Sequence, residues 1–107
     1  MAKSEQIFRI KPKFKKLIKI KSAEIDINNS ELVNQIVKTT KPNDLAIQIY
    51  KNKSKLNYDN VQASYMIQDS NKKKIEKIAL KHDLKKSQVL NLFLSHYFNE
   101  QLWFKTM

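Results

Sequence analysis

The sequence predicts a mainly α-helical fold with short β-strands, and three observations in residues 61–99 predict it. From Val61 to Ile67 the side chains alternate, with Val61, Ala63, Tyr65 and Ile67 on one face and Gln62, Ser64 and Met66 on the other. Two stretches of helical periodicity follow, separated by Asp83-Leu84. A lone strand with one apolar face needs a second strand for its backbone groups and its apolar side. The simplest expectation is the same strand from a second copy, which makes the protein a homodimer.

The elements of this segment follow from residue type. Asp69 or Ser70 is expected to cap the first helix, since a short side-chain oxygen can accept an orphan N–H of the first turn. Ile75, Ile78, Ala79 and His82 recur at helical spacing, leaving Lys72, Lys73, Lys74 and Lys77 for water or a partner. Asp83 suits the turn, because Asp enters the left-handed region more readily than most residues. Lys85-Lys86-Ser87 opens the second helix, whose apolar set is Val89, Leu90, Phe93, Leu94, Tyr97 and Phe98. That wide stripe suits a buried dimer core better than an exposed reading helix.

This order of strand, helix, turn and helix resembles the ribbon-helix-helix family of DNA-binding proteins over about residues 61–99. The resemblance implies a two-stranded antiparallel ribbon, one strand per chain, entering the major groove. Gln62, Ser64 and Met66 would then point at base edges. The start of the second helix, at Lys85, Lys86 and Ser87, would hold a phosphate through its backbone N–H groups. The chain departs from the family pattern at Met66, Asp83 and Lys85. Proteins resembling this serve mostly as transcriptional repressors or as centromere-binding factors of plasmid and phage partition, and others assist relaxase complexes of mobile elements. The same residues also fit a helix-turn-helix over Ile75–Leu92, with Ala79, Asp83 and Val89 at its key positions. A winged helix spanning the whole chain is therefore the alternative fold.

Charge points the same way. The 107 residues carry 21 Lys+Arg against 10 Asp+Glu, a formal net charge of +11. Residues 1–21 hold eight basic residues and one acidic one, residues 22–60 are balanced, and residues 61–107 are again basic. Nucleic acid is the commonest polyanionic partner; a merely solvated lysine-rich surface is the plainer reading. With Arg9 as the one arginine, lysine contacts to phosphates should dominate over bidentate guanine reading. There is no cysteine, hence no thiolate metal site or cysteine nucleophile, and no glycine, hence no Gly-rich phosphate loop. His82 and His96 stand on apolar or semi-apolar faces, and no serine sits in a nucleophile elbow. The expectation is a non-enzymatic cytoplasmic protein without a cofactor or metal, having neither a signal peptide nor a run long enough to span a membrane.

Residues 1–57 read as a basic extension with a strand and short helices, and residues 58–107 as the DNA-binding module. Residues 5–21 alternate apolar and basic side chains around Pro12. They read either as a strand before Pro12 and a second from about Leu17 to Lys21, or as a flexible arm that orders on DNA. Arg9, Lys11, Lys13, Lys15 and Lys16 would track phosphates, and Pro12 would interrupt any helix. Ile25 and Ile27 suggest a short strand, followed by a helix capped by Asn29 or Ser30 that buries Leu32, Val33, Ile36 and Val37. Residues 43–51 lean to helix, and the polar stretch 51–60 marks a boundary. No internal repeat is evident. An interaction role is the rival from another class, with Trp103, Phe104 and the first 21 residues docking a motor ATPase or other mobile-element protein.

Overall fold

The computed structural model describes residues 2–41 and 60–98. It is mainly helical, with one two-stranded antiparallel sheet. The order is β1 (Lys3–Ile10), α1 (Pro12–Glu24), α2 (Asn29–Thr39), β2 (Val61–Gln68), α3 (Asp69–His82) and α4 (Lys86–Tyr97). The two strands pair along their whole length, from Lys3 opposite Gln68 to Ile10 opposite Val61. The strand partner of Val61–Gln68 is thus the chain's own N-terminal strand, and the ribbon is complete without a second copy. This corrects the expectation of an intermolecular pair. It also places residues 3–10 in the sheet.

Strand, helix and helix therefore occur twice, and a shift of 57 residues superposes one set on the other (Asn34 on Asn91). Under that shift Ile10 matches Ile67, Lys15 matches Lys72, Lys16 matches Lys73 and Ile18 matches Ile75. Asp26, Ser30 and Asn34 likewise match Asp83, Ser87 and Asn91. The equivalence extends to backbone geometry. Asp26 (φ 59°) and Asp83 (φ 54°) are the positive-φ residues among the described residues, each between its two helices. After each, an amide returns to the preceding helix: Ile27 N to Ser22 O at 3.0 Å and Leu84 N to Ala79 O at 2.9 Å. In a chain without glycine, Asp is a residue that tolerates this left-handed turn through its short polar side chain. An antiparallel ribbon relates its two strands by a two-fold axis, so the molecule is an internal pseudo-dimer. The sequence reading that found no repeat is corrected here.

Local chemistry explains where each helix begins. Pro12 opens α1 at its first position, where a missing N–H costs nothing, instead of interrupting it. Residues Leu17–Lys21, expected as a strand, lie inside that helix, whose buried stripe is Phe14, Ile18 and Ser22. Ile25 and Ile27 belong to the turn between α1 and α2 and not to a strand. The cap of α2 is Asn28, one residue before the expected pair; its Oδ1 accepts from Glu31 N at 2.8 Å. Helix α3 grows directly from the end of β2, with Gln68 at the cap position and no side-chain cap, so neither Asp69 nor Ser70 serves. Lys85 precedes α4; its backbone N–H donates to Gln88 Oε1 at 2.8 Å, the half of a capping box that the third helical residue supplies.

One core joins both repeats. Phe8, Ile10, Ala63, Tyr65 and Ile67 form the inner face of the ribbon. They pack with Phe14, Ile18, Leu32, Val33, Ile36 and Val37 of the first repeat. From the second repeat come Ile75, Ala79, Leu84, Val89, Leu90, Leu92, Phe93 and Leu94. The stripe expected for α2 is buried, as are Val89, Leu90, Phe93 and Leu94 of that expected for α4, with Leu92 buried besides. Ile78, Tyr97 and Phe98 lie at the margin of this core. The expected division at 57/58, the helical lean over 43–51, and most of the boundary stretch fall outside the described residues.

Two buried asparagines lock the ribbon to the helices, each reaching from one repeat to the other's strand. Asn34 donates through Nδ2 to Met66 O at 2.8 Å, and its Oδ1 accepts from Gln68 N at 2.9 Å. Asn91 donates to Arg9 O at 3.2 Å and accepts from Lys11 N at 3.1 Å. The hydroxyls do likewise: Ser30 Oγ accepts from Met66 N and Ser87 Oγ from Arg9 N, both at 2.9 Å. Outward-facing backbone groups of both strands, which an open sheet edge would leave bare, are satisfied in matching fashion.

Candidate nucleic-acid interface

Strand alternation turns one face of the ribbon away from the core. That face presents Lys3, Glu5, Ile7 and Arg9 from β1, and Gln62, Ser64 and Met66 from β2, all exposed. Across it Glu5 stands opposite Met66, Ile7 opposite Ser64, and Arg9 opposite Gln62. Two large apolar side chains lie in the open, Ile7 at 63% exposure and Met66 at 44%. The polar groups are partly tied down. Ser64 Oγ donates to Glu5 Oε2 at 2.6 Å, and Arg9 Nη2 donates to Asn60 O at 3.0 Å, leaving further guanidinium N–H groups for a ligand.

A helix start flanks each strand. Because Ser87 holds Arg9 N, the first turn of α4 with Lys85, Lys86 and Ser87 lies beside β1. Because Ser30 holds Met66 N, the first turn of α2 lies beside β2, and a shallow groove there is lined by Lys3, Asn28, Asn29, Ser30, Ser64 and Met66. Helix N-termini carry partial positive charge and unpaired N–H groups. Lys13, Lys15 and Lys16 are exposed in the first turns of α1, and Lys15 Nζ reaches the Gln62 carbonyl at 3.1 Å. Lys11, at the strand–helix junction, is half-buried with its backbone held by Asn91. Lys86 shares its charge with Glu76 at 3.2 Å.

The structure thus brings together Gln62, Ser64 and Met66 on the ribbon's outer face with Arg9 beside them, Lys15 at the β2 edge and Lys85, Lys86 and Ser87 at the β1 edge, while Lys13 and Lys16 are exposed on α1. Lys3, Glu5 and Ile7 were missed. Their signal is the alternation Lys3-Glu5-Ile7-Arg9, which is polar enough to pass for an arm. Elsewhere, Lys74 acts within the fold: its Nζ donates to Val37 O at 2.6 Å and Thr40 O at 3.1 Å, closing the end of α2. Burial, helped by Lys41 nearby, holds its pKa below the usual lysine value. Burial likewise lowers the pKa of His96. Trp103 and Phe104 lie outside the described residues. Among the described residues no group of three or more His, Asp or Glu side chains is placed to hold a metal, and no helix is long and apolar enough to cross a membrane. No protein-family model matches this chain, and no curated protein or solved structure matches it significantly.

Proposed function

We propose that this chain binds double-stranded DNA, as two ribbon-helix-helix repeats fused into one polypeptide whose ribbon enters the major groove. The observation that carries the reading is the outward ribbon face flanked, at matching positions, by the starts of α2 and α4. A two-stranded ribbon fits the roughly 12 Å width of the major groove. Seated there, its outer side chains meet base edges, while helix starts to either side meet the two phosphate backbones. Arg9 suits guanine, Gln62 suits adenine, and Ile7 and Met66 suit thymine methyl groups. Lys13, Lys15, Lys16, Lys85 and Lys86 supply phosphate contacts, consistent with a net charge of +11. The ribbon's completeness within one chain supports binding without obligate dimerisation. In the cell, this chemistry serves transcriptional regulation or plasmid- and phage-type partition, with a motor ATPase as the partner in the second case.

The test is fluorescence anisotropy on a labelled duplex between 50 and 200 mM salt. Six phosphate contacts would weaken binding by about a thousandfold over that range. An affinity that does not change with salt, or no binding at 50 mM, would refute the proposal.

A further inference from the structure

The two halves of the ribbon are built alike but furnished differently. Matched by the 57-residue shift, Glu5, Ile7 and Arg9 of β1 occupy the places that Gln62, Ser64 and Met66 occupy in β2. A carboxylate, a branched alkyl group and a guanidinium thus face outward on one side. A carboxamide, a hydroxyl and a thioether face outward on the other, where no side chain is charged. The helix starts differ too, with Lys85 and Lys86 at that of α4 beside β1 and Asn28 and Asn29 at that of α2 beside β2, where the lysine at hand is Lys15 of α1. The backbone framework holding these side chains keeps its two-fold pairing through Asn34 and Asn91.

Palindromic DNA sites mirror proteins whose two reading halves are identical. Here the scaffold is two-fold and the reading groups are not. Resting on the DNA-binding reading above, we infer that one chain reads a non-palindromic site and binds it in a single orientation. The end of the ribbon where Arg9 stands opposite Gln62 takes a half-site containing guanine and adenine. The end where Glu5 stands opposite Met66 takes a half-site containing cytosine and thymine, with Ile7 and Ser64 at the centre.

Selection of duplexes from a random pool by the full chain tests this. The expected consensus is asymmetric. Two palindromes, each made by doubling one half of that consensus, should each bind at least about tenfold more weakly than the parent, since each wrong base pair costs about that much. Two variants extend the test. The double substitution Glu5→Gln and Met66→Arg places an arginine opposite a glutamine at both ends, and should now prefer the palindrome of the Arg9–Gln62 half. The reciprocal pair Arg9→Met and Gln62→Glu places a glutamate opposite a methionine at both ends and should prefer the other palindrome, so the switch stands if either variant keeps the wild-type circular dichroism spectrum. A wild-type consensus that is a perfect inverted repeat, or binding without sequence preference, would overturn the inference while leaving DNA binding intact. Absence of any duplex binding would overturn the underlying reading instead.

Discussion

Replacing Asn34 by Ala should cost far more stability than its polar character suggests. The side chain is 6% exposed and holds two outward groups at the end of β2, Met66 O and Gln68 N, at 2.8 and 2.9 Å. Its Oδ1 also accepts from Asn71 Nδ2 at 2.8 Å. A buried donor or acceptor left without its partner costs about 1–3 kcal/mol. Two such groups span about 2–6 kcal/mol, and because both bonds are only partly buried the loss falls in the lower part, roughly 2–4 kcal/mol, with Asn71 keeping a second acceptor in Asn34 O at 3.1 Å. Asn91→Ala removes the partner of Lys11 N and the shorter of two donors to Arg9 O, which keeps Asn60 Nδ2 at 3.5 Å, and should cost less, since Lys11 is also only half-buried. Urea unfolding followed by circular dichroism is the assay, with the midpoint moving and the slope staying fixed. In a thermal scan the same loss lowers Tm by roughly 8–20 °C for a domain of this size. The double variant should show near-additive losses, because the two sites share no partner. If each single variant stays within about 0.5 kcal/mol of wild type, the level of ordinary surface substitutions, the cross-repeat locks do not exist as described.

Three further outcomes follow from the same structure. Burial pushes the Tyr65 hydroxyl up to about 12 from its ordinary value of 10.0, so its contribution to stability is complete below pH 10 and is lost as pH rises through 12. At about 1.4 kcal/mol per pH unit this amounts to about 3 kcal/mol. Absorbance titration should show a late tyrosinate phase coupled to unfolding that Tyr65→Phe removes; an unchanged curve above about pH 11 in the variant would contradict it. Lys74→Met keeps an unbranched apolar side chain but loses the ammonium, which lies 5.3 Å from the Phe93 ring centroid and donates to Val37 O and Thr40 O, and the urea midpoint should fall by the equivalent of roughly 1–3 kcal/mol. An unchanged midpoint would show that α2 ends without help from α3. At the left-handed turns, Asp26→Ala and Asp83→Ala should each destabilise by about 1 kcal/mol, whereas the Gly variants should not; equal stability of Ala and Asp would remove the backbone argument.

Much of the second repeat was legible in the sequence because its patterns are unmixed. Val61–Ile67 alternates cleanly, α4 carries a continuous apolar stripe, and Asp83 is the residue that a turn without glycine requires. The first repeat was harder for specific reasons. Residues Leu17–Lys21 alternate apolar and basic, which mimics a strand, yet the buried positions are Phe14, Ile18 and Ser22, and Ile20 is 45% exposed. In β1 the fully buried apolar residues are Phe8 and Ile10 at one end, so the alternation is visible over only half of the strand. The repeat itself was hidden because identity persists where geometry is constrained, at Asp26/Asp83, Ser30/Ser87 and Asn34/Asn91. Most core positions vary in size or polarity, as Phe14 against Asn71 and Ile36 against Phe93 show, with Ile10/Ile67 and Ile18/Ile75 kept. A strand without a visible mate was therefore assigned to a second chain. As for the interface, its β2 half could be read from alternation, but its β1 half required knowing that residues 3–10 pair with it.

The most direct test of the central claim is an amide-resolved NMR titration of the full chain with a 16-base-pair duplex. The expected result is the largest shift changes at Lys3, Glu5, Ile7, Arg9, Gln62, Ser64 and Met66 and at the first turns of α2 and α4, saturating at one chain per site. Changes confined to the outer surface of α3, with the ribbon amides unmoved, would contradict it.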